Sequence, residues 1–254
     1  MPQPAPTVLI TGAAQRIGRA LARDFAAMGW RVAIHCHRSV KDAEALAQEL
    51  GRAGAQTAVV TADLAVAGEV AALLPATCRA LGAPTCLINN AAMFAPDTVA
   101  TLEPGLWDRQ LAVNLRAPVF LAQAFAAHLP AGVAGNIINI IDQGVLKPTP
   151  QFFSYTAAKA GLWAVTRTLA QALAPTIRVN AIGPGPVLKS THQTEAEFRA
   201  EFQSTLLGRS TEPEEIAAAI RFILAAPALT GQMLALDGGQ HLAWQTPDVV
   251  SGSG

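Results

Sequence analysis

The amino-acid sequence predicts an α/β fold: one open, doubly wound parallel sheet of seven strands with helices on both faces. Three observations predict it. Short β-rich apolar runs alternate with longer stretches that carry apolar residues at helical spacing, the pattern of repeated strand–helix–strand units. Several of the runs are almost continuously apolar, as strands covered on both faces are. No Ser/Gly-rich linker, composition break or internal repeat divides the 254 residues, a length that α/β folds often reach as a single domain.

The expected strands are residues 7–11, 31–35, 57–61, 85–89, 136–141, 177–180 and 233–236. In the helix expected after the first strand, Ile17, Leu21, Phe25 and Met28 recur at steps of three or four, one apolar stripe to lay on the sheet. The ordered core is expected over about residues 7–243, with loose ends rich in Pro, Ser and Gly before Thr7 and after Trp244.

Composition excludes several classes of function. Hydrophobic residues make up 51% and charged residues 14%, with 18 basic and 18 acidic side chains, so a large core is available and no basic stripe points to nucleic acid. The most apolar stretch, residues 216–229, is broken by Arg221 and Pro227 and is too short to span a membrane. The N-terminus lacks the basic start of a secretory signal. Cys36, Cys78 and Cys86 are odd in number and lack metal-ligand spacing, which suits free core thiols, no metal and a cytoplasmic location.

The first strand runs directly into Thr11-Gly12-Ala13-Ala14-Gln15-Arg16-Ile17-Gly18 and then into a helix. Gly12 suits the tight turn, Gly18 allows close packing of helix on strand, and small Ala13 and Ala14 let the backbone approach a pyrophosphate at the helix N-terminus. This is a dinucleotide cradle at the start of a Rossmann-type sheet. Arg16 replaces the usual middle glycine, so it either strains the turn or supplies a cation to the cofactor phosphates or the substrate. The end of the second strand selects the nucleotide. An acid there holds the ribose hydroxyls of NAD, but here the residues are His35-Cys36-His37-Arg38-Ser39 and the first acid is Asp42. An acid would repel a 2′-phosphate whereas Arg38 and Ser39 can bond it, which predicts NADPH. His35 is expected in the core, and His37 either on the surface or at the phosphate.

Tyr155 is the one tyrosine of the chain, and Lys159 follows it by one helical turn, where side chains are neighbours. A free phenol titrates at about 10, and a nearby positive charge favours its ionised form, so the pair is a candidate proton donor tuned toward neutral pH.

These residues resemble the short-chain dehydrogenase/reductase family over nearly the whole chain. The matches are Thr11-Gly12 with Gly18, Asp63-Leu64, Asn89-Asn90-Ala91-Ala92, Asn114, Tyr155-x-x-x-Lys159, Arg178-Val179-Asn180, Pro184-Gly185, and Thr230-Gly231-Gln232 through Leu236-Asp237-Gly238-Gly239. The resemblance implies a catalytic relay of Asn114, Tyr155 and Lys159, in which Tyr155 donates a proton, Lys159 holds the ribose and lowers the phenol pKa, and Asn114 anchors a water chain. It also implies that Asp63, Leu64, Asn90 and Ala91 line the adenine and ribose, and Pro184-Gly185 the nicotinamide side. Members are commonly homotetramers, and the apolar segments 162–169 and 233–244 are compatible with such interfaces or with ordinary core.

Two departures mark a branch. Asp142 stands where the family usually has Ser, thirteen positions before Tyr155, and Ala92 replaces the glycine of the Asn-Ala-Gly turn, with Phe94 close behind. With Arg16 and the 37–39 turn, this resembles the pteridine reductases and dihydromonapterin reductases, which implies that Asp142 works with Tyr155, that Phe94 stacks on a pterin ring, and that Arg16 lies near pterin and phosphates. The chemistry agrees. Carbonyl reduction builds negative charge that a serine hydroxyl stabilises and a carboxylate repels, whereas C=N reduction needs a protonated nitrogen, which a carboxyl and a phenol can supply. Asp142 could instead cap the loop after the fifth strand. Phe152 and Phe153 are expected as packing or pocket rim, and residues 187–207, with Lys189 and His192, as a substrate lid. The expected function is an NADPH-dependent dihydropterin reductase; a carbonyl or 3-oxoacyl reductase is the alternative, and a non-catalytic NADPH sensor the reading from another class.

Overall fold

A computed structural model describes residues 5–244; the expected loose ends before Thr7 and after Trp244 lie almost wholly outside that range. In chain order the elements are β1 (Thr7–Ile10), α1 (Arg16–Ala27), β2 (Arg31–Cys36), α2 (Val40–Arg52), β3 (Thr57–Thr61), α3 (Ala67–Leu81), β4 (Cys86–Asn89), α4 (Pro104–Leu111), α5 (Ala117–His128), β5 (Gly135–Ile140), α6 (Phe153–Leu173), β6 (Ile177–Pro184), α7 (Glu195–Gln203), α8 (Pro213–Ala225) and β7 (Met233–Leu236). The seven strands form one sheet in the order β3-β2-β1-β4-β5-β6-β7, and every pairing is parallel. The order reverses between β1 and β4, so the crevice at the carboxyl ends of those strands is where an open α/β sheet binds ligands.

The continuous apolar runs follow from burial on both faces. In β1, Val8 and Ile10 join the core under α1 and α8, while Leu9 joins Leu87, Ile137 and Val179 in the core under α3 and α5. The stripe of α1 buries Leu21 and Phe25 as its spacing predicts, but the helix ends at Ala27 and Met28 lies exposed beyond it. Strand bounds agree with the sequence reading to about a residue, except in β6. That strand continues from Asn180 to Pro184 because Ala181–Pro184 pair with Met233–Leu236. Sequence reading stops at Asn180, short of Pro184; a proline at a strand end is tolerated there.

Two glycines bring α1 onto the sheet. Gly12 has φ +63°, and a side chain on it would sit 3.0 Å from the Ala91 Cα. A Cβ on Gly18 would lie 2.2 Å from the Gly12 carbonyl oxygen and 2.8 Å from the Ala13 Cα, both backbone atoms that cannot yield. Gly51, inside α2, has nothing within 4 Å of its Cβ direction. Gly18→Ala is therefore expected to cost about 2 kcal/mol or more of unfolding free energy in urea titrations, whereas Gly51→Ala gains up to about 1 kcal/mol from helix propensity.

Candidate active site

The carboxyl ends of the strands open into a cavity of about 720 Å³. On one side lies the turn between β1 and α1. The Thr11 hydroxyl accepts hydrogen bonds from the Asn90 and Ala91 amides at 2.9 and 3.0 Å, and the Asn90 carboxamide donates to the Thr11 and Gly12 carbonyls. The helix begins without a side-chain cap and without an acid in its first turn. Its free N–H groups and positive dipole end are thus left for an anion, and Gly12, Arg16, Ile17 and Gly18 all line the cavity. Arg16 takes a positive φ of 52°, the left-handed conformation that glycine adopts freely and other residues at a cost of about 1–2 kcal/mol. Its guanidinium donates to the Leu188 and Lys189 carbonyls, both at 2.8 Å. The turn is thus strained at Arg16, and its guanidinium ties the turn to the segment after β6.

His35 is buried, as expected, but it also braces the turn. Its Nδ1 accepts from the Gly12 N–H at 3.1 Å, and its Nε2 pairs with the Ala62 carbonyl at 3.1 Å. That arrangement needs the neutral ring, and burial pushes the pKa down to about 4. Beyond it, Asp63 accepts from the Ala65 amide at 2.9 Å and from Arg109 at 3.0 Å, with His37 at 3.6 Å. The amide and the guanidinium hold this carboxyl below its ordinary value against burial. Arg38, Leu64, Asn90 and Ala91 line the same region, and Pro184 and Gly185 line the cavity at the end of β6. A side chain on Gly185 would meet the Asp237 Cα at 2.7 Å. Ser39 stands at the start of α2, next to Arg38, and its side chain makes no capping hydrogen bond.

The reactive side groups come from the end of β5 and the first turns of α6. Tyr155, Ala158, Lys159 and Leu162 form one buried helix face. The Tyr155 hydroxyl donates to Asp142 Oδ2 at 3.0 Å, and Asp142 Oδ1 accepts from the Gly144 amide at 2.7 Å. Asp142 therefore does both things considered for it: one oxygen caps the loop and the other faces the phenol. Lys159 Nζ donates to the Ile140 carbonyl at 2.7 Å and lies 5.6 Å from the centre of the Tyr155 ring. Burial raises the Asp142 carboxyl, opposed by the Gly144 amide, Tyr155 and Lys159. Burial likewise pushes Lys159 down to about 8, with Asp142 pulling the other way. The expectation that Lys159 lowers the phenol pKa is corrected here. Burial and then Asp142 push Tyr155 well above its ordinary value, because an anionic neighbour and a dry site both oppose a phenolate.

Asn114 is fully buried in a π-helical turn, residues 112–116, between α4 and α5, and does not line the cavity. Its carboxamide accepts from the Met93 amide at 2.9 Å and donates to the Met93 carbonyl at 2.8 Å, so it fixes the backbone next to Phe94. Phe94 stacks on Phe152 with centroids 4.1 Å apart and meets Tyr155 edge-on at 4.8 Å, and it keeps 38% of its surface exposed. Phe152 is thus the packed back of the wall that Phe94 presents. The segment 187–207 borders the cavity through Val187, Leu188 and α7, and His192 reaches the Phe94 carbonyl at 3.2 Å.

Two residues the sequence reading did not single out hold this arrangement. Buried Asp97 accepts from the Ser154 amide at 3.2 Å and from the Ser154 hydroxyl, capping α6 from outside the helix. Arg109 answers Asp63 from α4. Neither partner lies near the other in the chain, so no local motif signals them.

The bracing of the turn by His35 has a pH signature. The unfolded chain takes up a proton at this histidine below about 6.5, but the folded protein does so only near 4. Stability is full above the first value and is expected to fall by up to roughly 3 kcal/mol as pH drops through this window. Urea-unfolding titrations between pH 7 and pH 4 test this, and His35→Gln is expected to flatten the dependence.

Comparison with known proteins agrees with the geometry. The family described as short chain dehydrogenase matches residues 6–200. A 3-oxoacyl-[acyl-carrier-protein] reductase from Synechocystis is 33% identical over 92% of this chain and 96% of its own length. The crystal structure of FolM alternative dihydrofolate reductase 1 from Brucella suis, in complex with NADP, is 48% identical with a TM-score of 0.93 over 96% of this chain and 98% of that one. Its counterpart from Brucella canis, complexed with NADP, is 46% identical with a TM-score of 0.91 over 96% and 97%. With a parallel sheet, a glycine-turned cradle and a buried Tyr–Lys pair beside it, this chain belongs to the short-chain dehydrogenase/reductase family of oxidoreductases.

Proposed function

We propose that the chain is an NADPH-dependent reductase of a dihydropterin, forming the tetrahydro product. The observation that carries this reading is the hydrogen bond from the Tyr155 hydroxyl to Asp142 inside the cavity. A carboxyl at this point suits a substrate that gains positive character at nitrogen, and it opposes one that gains negative charge at oxygen. The likeness to two NADP complexes of alternative dihydrofolate reductases supports both cofactor and ring system.

The cradle fits the cofactor. Gly12, Arg16, Ile17 and Gly18 would hold the diphosphate at the start of α1. Arg38 and His37, both exposed at the end of β2, would meet the 2′-phosphate. Asp63, Leu64, Asn90 and Ala91 would enclose the adenosine side, Lys159 the ribose, and Pro184 and Gly185 the nicotinamide. NADPH, when bound, supplies the hydride.

The chain's own residues handle the proton. Tyr155, pushed up by burial and by Asp142, stays protonated at neutral pH and can donate to a ring nitrogen. Asp142, raised by burial, takes up a proton at a higher pH than an ordinary carboxyl and can replace the one that Tyr155 gives away. Phe94 offers an aromatic face of the kind on which flat rings stack, contributing about 0.5–1.5 kcal/mol beyond burial. Asn114 serves indirectly through the Met93 backbone. The same reading includes a cytoplasmic location and a homotetramer, for which exposed Phe120, Leu242 and Trp244 supply apolar surface. Among the described residues no helix is long and apolar enough to cross a membrane, and no cluster of metal-ligating side chains is found.

The decisive experiment follows the loss of NADPH absorbance against dihydrobiopterin, dihydromonapterin, dihydrofolate and a panel of ketones. Pterin turnover is expected to exceed ketone turnover, and both Tyr155→Phe and Asp142→Ser are expected to lower kcat on the pterin by about a hundredfold, in line with the loss of a general acid. Ketones outperforming pterins, with Asp142→Ser raising ketone turnover, would favour the carbonyl or 3-oxoacyl reductase instead. NADPH binding without turnover of any substrate would favour a sensor. For the nucleotide, Arg38→Ala is expected to reduce the preference for NADPH over NADH in kcat/KM by about tenfold, the size of one charge-assisted hydrogen bond.

A further inference from the structure

The segment after β6 carries a charged group into the cavity that the proton chemistry does not use. Glu201, on the inner side of α7, lines the cavity with Asp142, Tyr155 and Phe94. One of its oxygens, Oε2, accepts a hydrogen bond from Gln193 Nε2 at 2.6 Å, which fixes the carboxylate in place. No hydrogen bond among the described residues engages its other oxygen.

The neighbouring cations are occupied elsewhere. Lys189 pairs with Glu195 at 3.1 Å, the Arg16 guanidinium donates to the Leu188 and Lys189 carbonyls, and Lys159 donates to Ile140. Among the described residues no ion pair includes Glu201. Its charge reaches the reactive end of the site, since it helps to raise the Asp142 carboxyl after burial has done most of the work. A carboxylate held in the cavity wall with one oxygen free is an acceptor for N–H donors from a ligand, and hydrogen bonds to a charged acceptor are the stronger kind.

We infer that Glu201 is a specificity-determining residue, which receives the N–H donors on the amino-pyrimidine edge of the substrate while Asp142 and Tyr155 attend to the carbon–nitrogen bond being reduced. This inference rests on the dihydropterin reading and refines it. An amidine-like edge offers two parallel N–H groups, the pattern a carboxylate accepts with both strength and direction. A plain ketone offers none, and a phosphorylated acyl carrier would bring like charge toward Glu201. The residue therefore selects for the substrate class and against the alternatives in one step.

The test compares wild type, E201Q and E201A on dihydropterin and on dihydrolumazine, which has a carbonyl in place of the ring amino group, each with saturating NADPH. The wild type is expected to prefer dihydropterin in kcat/KM. Both variants are expected to lower that preference by about tenfold or more, through KM for dihydropterin rather than kcat, as the loss of one charge-assisted hydrogen bond implies. A preference that stays the same in both variants would overturn the role of Glu201 and leave the dihydropterin reading standing. A wild type that reduces neither pteridine would overturn that reading and this inference with it.

Discussion

Three titratable groups, a carboxyl, a phenol and an ammonium, are buried together where β5 ends and α6 begins. Their burial is the constraint on which the site depends. In water Asp142 and Lys159 would both be charged and Tyr155 neutral, with little energy tying one to another. Taken out of water, each is pushed toward its neutral form; Lys159 and Asp142 restrain each other's shift, whereas Asp142 adds to that of Tyr155. The hydrogen bond between Tyr155 and Asp142 is the visible result. The phenol keeps its proton and points it at a carboxyl that itself takes up a proton more readily than one in water.

The remainder of the fold holds that group against a cofactor cradle. Asp142 and Tyr155 are thirteen residues apart in the chain, and the sheet brings them together by ending β5 beside the start of α6. Asp97 caps α6 from the loop that carries Phe94, so the aromatic wall and the phenol share one support. Asn114 pins the same loop from the other side through Met93. On the cradle side, Asn90 and Thr11 bond each other while His35 holds the Gly12 amide and the Ala62 carbonyl, and the start of α1 keeps no side-chain cap on its amides. Among the described residues two non-glycine residues take positive φ: Arg16, which lines this cavity, and Phe152, which stacks on its Phe94 wall. Backbone strain gathers at such sites because the surrounding packing can enforce it.

Much of this was legible in the chain. The seven strands could be read from apolar runs, since strands buried on both faces leave that record at every position. Gly12, Gly18, Tyr155 and Lys159 could be read from spacing, because turn geometry and the helical repeat are local. Met28 and the far end of β6 show where local reading stops: the helix ended one residue short of Met28, and Gly183 and Pro184 became strand through pairing with β7. The direction of the Tyr155 shift was misjudged for a related reason. The ammonium one turn away was visible, whereas the depth of burial and the carboxyl across the loop outweighed it.

The sequence by itself therefore determined the sheet, the glycine turn between β1 and α1 and the pairing of Tyr155 with Lys159 on one helix face, since these depend on periodicity and on interactions between near neighbours. Only the tertiary structure decided which groups stand in one another's field. It joined His35 to Gly12, Asp97 to α6, Arg109 to Asp63 and Glu201 to the Asp142 cavity. Those pairings depend on distance and on exclusion of water, and neither is written in the order of residues along a chain until the chain has packed.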